Sequence, residues 1–129
     1  MTVEIKMLAC SIVLGLLYVM LAGALGIAER GLLWNLGNRD AEARPLAGAA
    51  ARAGRASWNF LESFPFFAAA VLAVLITNRS SATTALGSQL YFWGRLVYLP
   101  VYVIGIPYLR TLIWAVSFAG LVLVLGALF

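Results

Sequence analysis

The chain contains no histidine and a single cysteine, Cys10. Without histidine the commonest general base at neutral pH is missing. With one cysteine there is no intramolecular disulfide, and no grouping has the spacing of a metal site. Charge is scarce too. Only 11% of the 129 residues are charged, against about 25% in soluble domains, while 64% are hydrophobic and mean hydropathy is +0.97. Such a composition describes a membrane protein, with length for one domain over residues 1–129. The net charge of +4 does not point to nucleic acid, because the basic residues form no patch interleaved with aromatics.

What is present is a series of long apolar runs. The first, about residues 7–28, is too long for a signal-peptide core and follows Glu4 and Lys6 rather than a basic leader, so it reads as a retained helix. A charged loop follows, with Gly37-Asn38 as a turn signal and Pro45 suited to the first turn of the next helix. An Ala-rich helix then climbs through Arg52 and Arg55 into a second span near Trp58–Ile76, the whole segment covering about 52–77. Residues 77–81 are a tight connection, and further spans are expected over about 82–106 and 111–129. The expected fold is all-α, an integral membrane four-helix bundle.

Arginine placement sets the orientation. Arg30, Arg39, Arg44, Arg52, Arg55 and Arg110 fall on one side, against Lys6 and Arg79 on the other. The positive-inside rule puts the first and third loops in the cytoplasm and both termini outside. Gly23 and Gly26 are expected as close-packing sites, and Trp34 and Trp114 as markers of the membrane interface.

Two charges violate the apolar pattern. Glu62 and Arg95 each lie well inside a span, where an ion costs ~2.5–3.5 kcal/mol even on lenient scales. Both fall at a similar depth on consecutive helices, so they are expected partners, either as a pair that fixes register or as part of a ligand site. Polar stripes surround them. Arg55, Asn59 and Glu62 are spaced i, i+4, i+7, with Arg52 one turn earlier; Arg95, Tyr98 and Tyr102 are spaced i, i+3, i+7. A hollow lined by guanidinium, carboxylate, amide and phenol groups suits a zwitterion carrying several carboxylates and an amine.

The segment Arg55-Ala56-Ser57-Trp58-Asn59-Phe60-Leu61-Glu62-Ser63-Phe64-Pro65-Phe66-Phe67 resembles the second-helix signature of the MAPEG superfamily, membrane-associated proteins in eicosanoid and glutathione metabolism. Gly94-Arg95-Leu96-Val97-Tyr98-Leu99-Pro100-Val101-Tyr102 is similar to the third-helix pattern of that family, and Gly105-Ile106-Pro107-Tyr108-Leu109-Arg110-Thr111 to the version in its bacterial members. The resemblance implies a left-handed bundle assembled as a homotrimer in a bacterial cytoplasmic membrane, with glutathione as cosubstrate at subunit boundaries.

Carried over position by position, Arg55, Asn59, Glu62, Tyr98 and Tyr102 would bind glutathione, Glu62 near its amino group; Arg52, one turn earlier on the same stripe, is also expected to bind it. Arg95 would support the site from deep in the bundle. Arg30 would serve either as a glutathione contact or as a positive-inside anchor. Arg110 falls near the family arginine that stabilises the thiolate, although its spacing from Tyr102 is one residue longer here. The implied activity is glutathione transfer or peroxide reduction on lipophilic compounds arriving from the bilayer. The alternative is a non-catalytic membrane oligomer, or a small transporter subunit, whose polar cluster is structural.

Overall fold

The computed structural model describes residues 1–129 and contains helices joined by short connections. The helices are α1 (Val3–Arg30), a one-turn α2 (Leu32–Leu36), α3 (Gly48–Ile76), α4 (Ala82–Ile104) and α5 (Pro107–Gly126). Their ends follow local chemistry. The Thr2 hydroxyl accepts from the Ile5 amide at the start of α1. Ser81 and Thr84 close a reciprocal capping box on α4. Pro107 opens α5, where a missing N–H costs nothing. Pro45 does not open α3: that helix starts at Gly48, after an extended Ala47, so the proline stays in the connection. The Ala47 amide is held there by the Glu29 carboxylate at 2.8 Å.

Three helices, α1, α3 and α5, are long and apolar enough to cross a membrane. At 1.5 Å per residue the 23 residues of α4 also reach ~35 Å. Its apolar content is diluted by a polar stripe: Thr84, Ser88, Tyr91, Arg95, Tyr98 and Tyr102, all buried. These positions recur every three or four residues, so they share one face. The helix therefore turns its polar side inward and its apolar side outward, the reverse of a soluble helix.

α3 and α4 form the centre. α1 packs on both from one side and α5 on both from the other, while α1 and α5 do not meet. The tightest seam joins α4 to α5. A Cβ on Gly120 would stand 2.5 Å from the Gly87 carbonyl, and one on Gly87 would stand 2.7 Å from the Gly120 carbonyl. Small residues let membrane helices approach to backbone contact, and here the two glycines interlock. Gly94 does the same against Ser117, and Gly15 against the Phe60 ring. Gly23 and Gly26, expected to pack closely, meet nothing within 4 Å in the protomer; they lie beyond the part of α1 that is buried.

At the end of the bundle where α1 and α4 begin, Glu4 is buried and accepts from the Thr84 hydroxyl at 2.6 Å. At the opposite end, α1 runs into α2 and α4 turns into α5. That end carries the arginines.

Candidate functional site

Arg95 is fully buried on the inner face of α4. One terminal nitrogen donates to Asn59 Oδ1 at 2.6 Å and the other to Ser63 Oγ at 2.7 Å. Asn59 and Ser63 stand four residues apart on α3, one above the other, which matches the fork of the guanidinium. The rings of Tyr91 and Tyr98 flank it at 5.6 and 5.4 Å, and the Tyr18 hydroxyl donates to the Arg95 backbone carbonyl. The Nε atom alone has no partner.

Arg95 and Glu62 are not partners, contrary to the sequence expectation. The Glu62 carboxylate is exposed and accepts from the Trp58 indole at 2.9 Å. The reason is angular. At 100° per residue Glu62 stands about 60° around α3 from Asn59 and about 100° from Ser63, so α3 offers Arg95 an amide and a hydroxyl while the carboxylate points sideways.

Donor counting fixes the rest of the knot. A guanidinium has only donors, so Asn59 turns its carbonyl oxygen to Arg95 and keeps both amide hydrogens for another acceptor. Ser63 accepts from Arg95 and donates to the Phe60 carbonyl at 3.3 Å. The Tyr91 hydroxyl, 3.0 Å away, must then be the donor in that contact.

Toward the arginine-rich end the knot opens into a cavity of about 180 Å³ lined by Asn59, Tyr98, Arg110, Thr111 and Trp114. The Arg110 guanidinium lies 4.6 Å from the centre of the Tyr102 ring, and Arg55 Nε donates to the hydroxyl of the same tyrosine at 3.3 Å. A second cavity, about 210 Å³, shares Asn59 and Trp114 with the first and adds Glu62, Ser63 and Phe66. Beyond it Phe66, Phe118 and Leu121 also line a wholly apolar groove between α3 and α5, about 440 Å³. The space thus grades from cationic to carboxylate-bearing to greasy along one side of the bundle.

The arrangement gathers Asn59, Tyr98 and Arg110 at one cavity, sets Arg55 and Tyr102 beside it, places Glu62 at its neighbour and Arg95 behind. Two arginines lie elsewhere. Arg30 donates to the Arg44 carbonyl at 2.8 Å and rests on the Trp34 ring, where it ties down the connection after α1. Arg52 donates to the Val103 carbonyl at 2.8 Å. Residues missed in the sequence are Ser63, Tyr91, Thr111 and Trp114. Ser63 and Tyr91 each stand one helical turn from a residue already singled out, and that spacing could have found them. Trp114 lines the cavity instead of merely marking an interface.

The polar hollow and the arginine knot behind it stand on the motif residues of α3 and α4. The model of the MAPEG family matches residues 7–129, essentially the whole chain. The chain belongs to the MAPEG family. Comparison with curated proteins and with solved structures gives no match. As a MAPEG protein the chain is a membrane protein, and its family is one of glutathione-related function. The donor set suits that chemistry. Arg55, Arg110 and the Asn59 amide can meet carboxylate or thiolate, and Glu62, with no cation of its own, can meet an ammonium.

Proposed function

We propose that the protein is a glutathione-binding MAPEG enzyme, a glutathione transferase or peroxidase acting on lipophilic electrophiles or hydroperoxides. It is a left-handed four-helix bundle that works as a homotrimer in a bacterial cytoplasmic membrane, with its arginine-rich end in the cytoplasm. The observation that carries the reading is the convergence of Arg110, Asn59 and Tyr98 on one cavity that grades into an apolar groove.

The chemistry needs no histidine. A thiol of pKa near 8.5 is mostly protonated at pH 7, and an adjacent guanidinium favours the thiolate. Arg110 supplies that charge. Arg55 and the Asn59 amide hold carboxylates, and Glu62 holds the amino group. Tyr98 walls the cavity, and Tyr102 stands beside it under the Arg110 guanidinium. In transfer, the sulfur bonds to the electrophilic carbon and the leaving group departs with the electron pair of its bond. The apolar groove between α3 and α5 brings the second substrate from the bilayer.

Two measurements test this. Glutathione at millimolar concentration should raise the melting temperature of the detergent-solubilised protein, since a ligand of the native state alone stabilises it; no rise removes glutathione from the account. Conjugation of a chlorinated nitroaromatic should be detectable, and its absence in protein that binds glutathione would leave a binding protein without turnover.

A further inference from the structure

Arg52 stands one turn before Arg55 on α3, yet its side chain turns to the end of α4. The α4 helix stops at a glycine turn. Gly105 takes a left-handed conformation (φ 95°, ψ 40°), and the amides of Gly105 and Ile106 both return to the Val101 carbonyl, at 3.1 and 3.2 Å. The Val103 carbonyl would ordinarily accept from the amide four residues on. That residue is Pro107, which has no N–H. The Val103 carbonyl, already among the last four of α4 that end without an intrahelical donor, gains none from Pro107, and Arg52 Nε supplies a donor at 2.8 Å. The guanidinium also lies against the turn: a Cβ on Gly105 would come within 3.4 Å of Arg52 Nε and 3.5 Å of Cζ. A cation at a helix C-terminus is favoured by the aligned carbonyls as well.

This contact controls more than a helix end. α5 begins at Pro107, two residues past Gly105, and Arg110 is its fourth residue. Arg110 then folds back over Tyr102, the α4 residue just before Val103. The position of the Arg110 guanidinium is thus set by one short turn with Arg52 across it. We infer that Arg52 is a positioning residue, a latch on the α4–α5 turn that holds Arg110 at the height where it can favour a thiolate. It acts through the Val103 carbonyl, without touching the ligand. The inference rests on the proposed glutathione site for its chemical consequence, and on the turn alone for its structural one.

The test uses the full-length protein in detergent and the variants Arg52→Gln, Arg52→Lys and Gly105→Ala. Gly105→Ala attacks the same contact from the other side, because a side chain at φ 95° is strained and would press on the guanidinium. Glutathione affinity, measured by calorimetry, should stay within about threefold of wild type in Arg52→Gln. The pH at which kcat reaches half its maximum should rise by about one unit, which lowers kcat about tenfold on the acidic side. Arg52→Lys should recover part of that shift, since an ammonium can still donate to the Val103 carbonyl. In the ligand-free protein, amide exchange across residues 106–110 should quicken in Arg52→Gln and Gly105→Ala, with α1 unchanged.

A tenfold loss of affinity with an unmoved pH profile would make Arg52 a ligand contact and overturn the inference. Unchanged exchange across the turn would overturn it as well, whatever the ligand. If wild-type protein fails to bind glutathione, the proposed function falls, and the exchange measurement still decides whether Arg52 latches the turn.

Discussion

Arg95 and Arg110 carry the same charge in the same half of the bundle, and their surroundings differ in every other respect. Arg95 is fully buried, clasped by Asn59 and Ser63 and walled by two tyrosine rings. Arg110 rests on one ring, lines a cavity and donates to no acceptor in the protomer. A buried guanidinium without a carboxylate is held by hydrogen bonds and ring faces, so its work is to join α3 to α4. A guanidinium at a cavity wall has charge to offer a ligand. The difference teaches that an intramembrane charge is assigned a role by its partners and not by its depth.

Substitutions can break that contrast. The α4–α5 seam frames both arginines, and Gly120→Leu should do the most damage: its side chain has no room beside the Gly87 carbonyl, at a cost of about 3 kcal/mol. Thermal unfolding in detergent would show it, and a wild-type melting temperature would mean the seam is looser than described. Arg95→Met should follow, losing about 1–3 kcal/mol as Asn59 and Ser63 lose their donor. Tyr91→Phe removes only the donor to Ser63 and should cost about 1 kcal/mol. Arg110→Ala should leave stability within about 0.5 kcal/mol while conjugation falls about 10²-fold. If Arg110→Ala unfolded the protein as Arg95→Met does, the two arginines would not differ in kind.

Much of this was readable beforehand. The all-helical fold, the tight turn at residues 77–81 and the membrane character are legible in apolar run length, although three of the four expected spans, and not α4, are long and apolar enough to qualify. The stripe Arg95, Tyr98, Tyr102 did face inward, as its spacing required. The supposed partnership of Glu62 and Arg95 failed because depth along a helix was matched without its angle: both charges sit at one level, yet Glu62 points to the outside of α3. Sequence spacing groups Arg52 with Arg55, whereas its side chain reaches the Val103 carbonyl, which the end of α4 leaves without a backbone donor. Gly87 and Gly120 passed unremarked, because an interlock between glycines on two helices leaves no signature in either helix alone.

Glu4 and Glu62 sharpen the same contrast among the acids. Glu4 is buried with a hydroxyl donor from Thr84, whereas Glu62 is exposed in a span with only an indole to hold it. Glu62→Gln should therefore leave folding intact and weaken glutathione binding, about tenfold if an ammonium is lost as partner; calorimetric titration would read it.

The most direct measurement is the ultraviolet absorbance of thiolate when glutathione is added to the solubilised protein at pH 7. A thiolate band with wild-type protein that vanishes in Arg110→Ala, with binding retained, is the predicted result. A band of equal size in both proteins, or bound glutathione with no band in either, would contradict it.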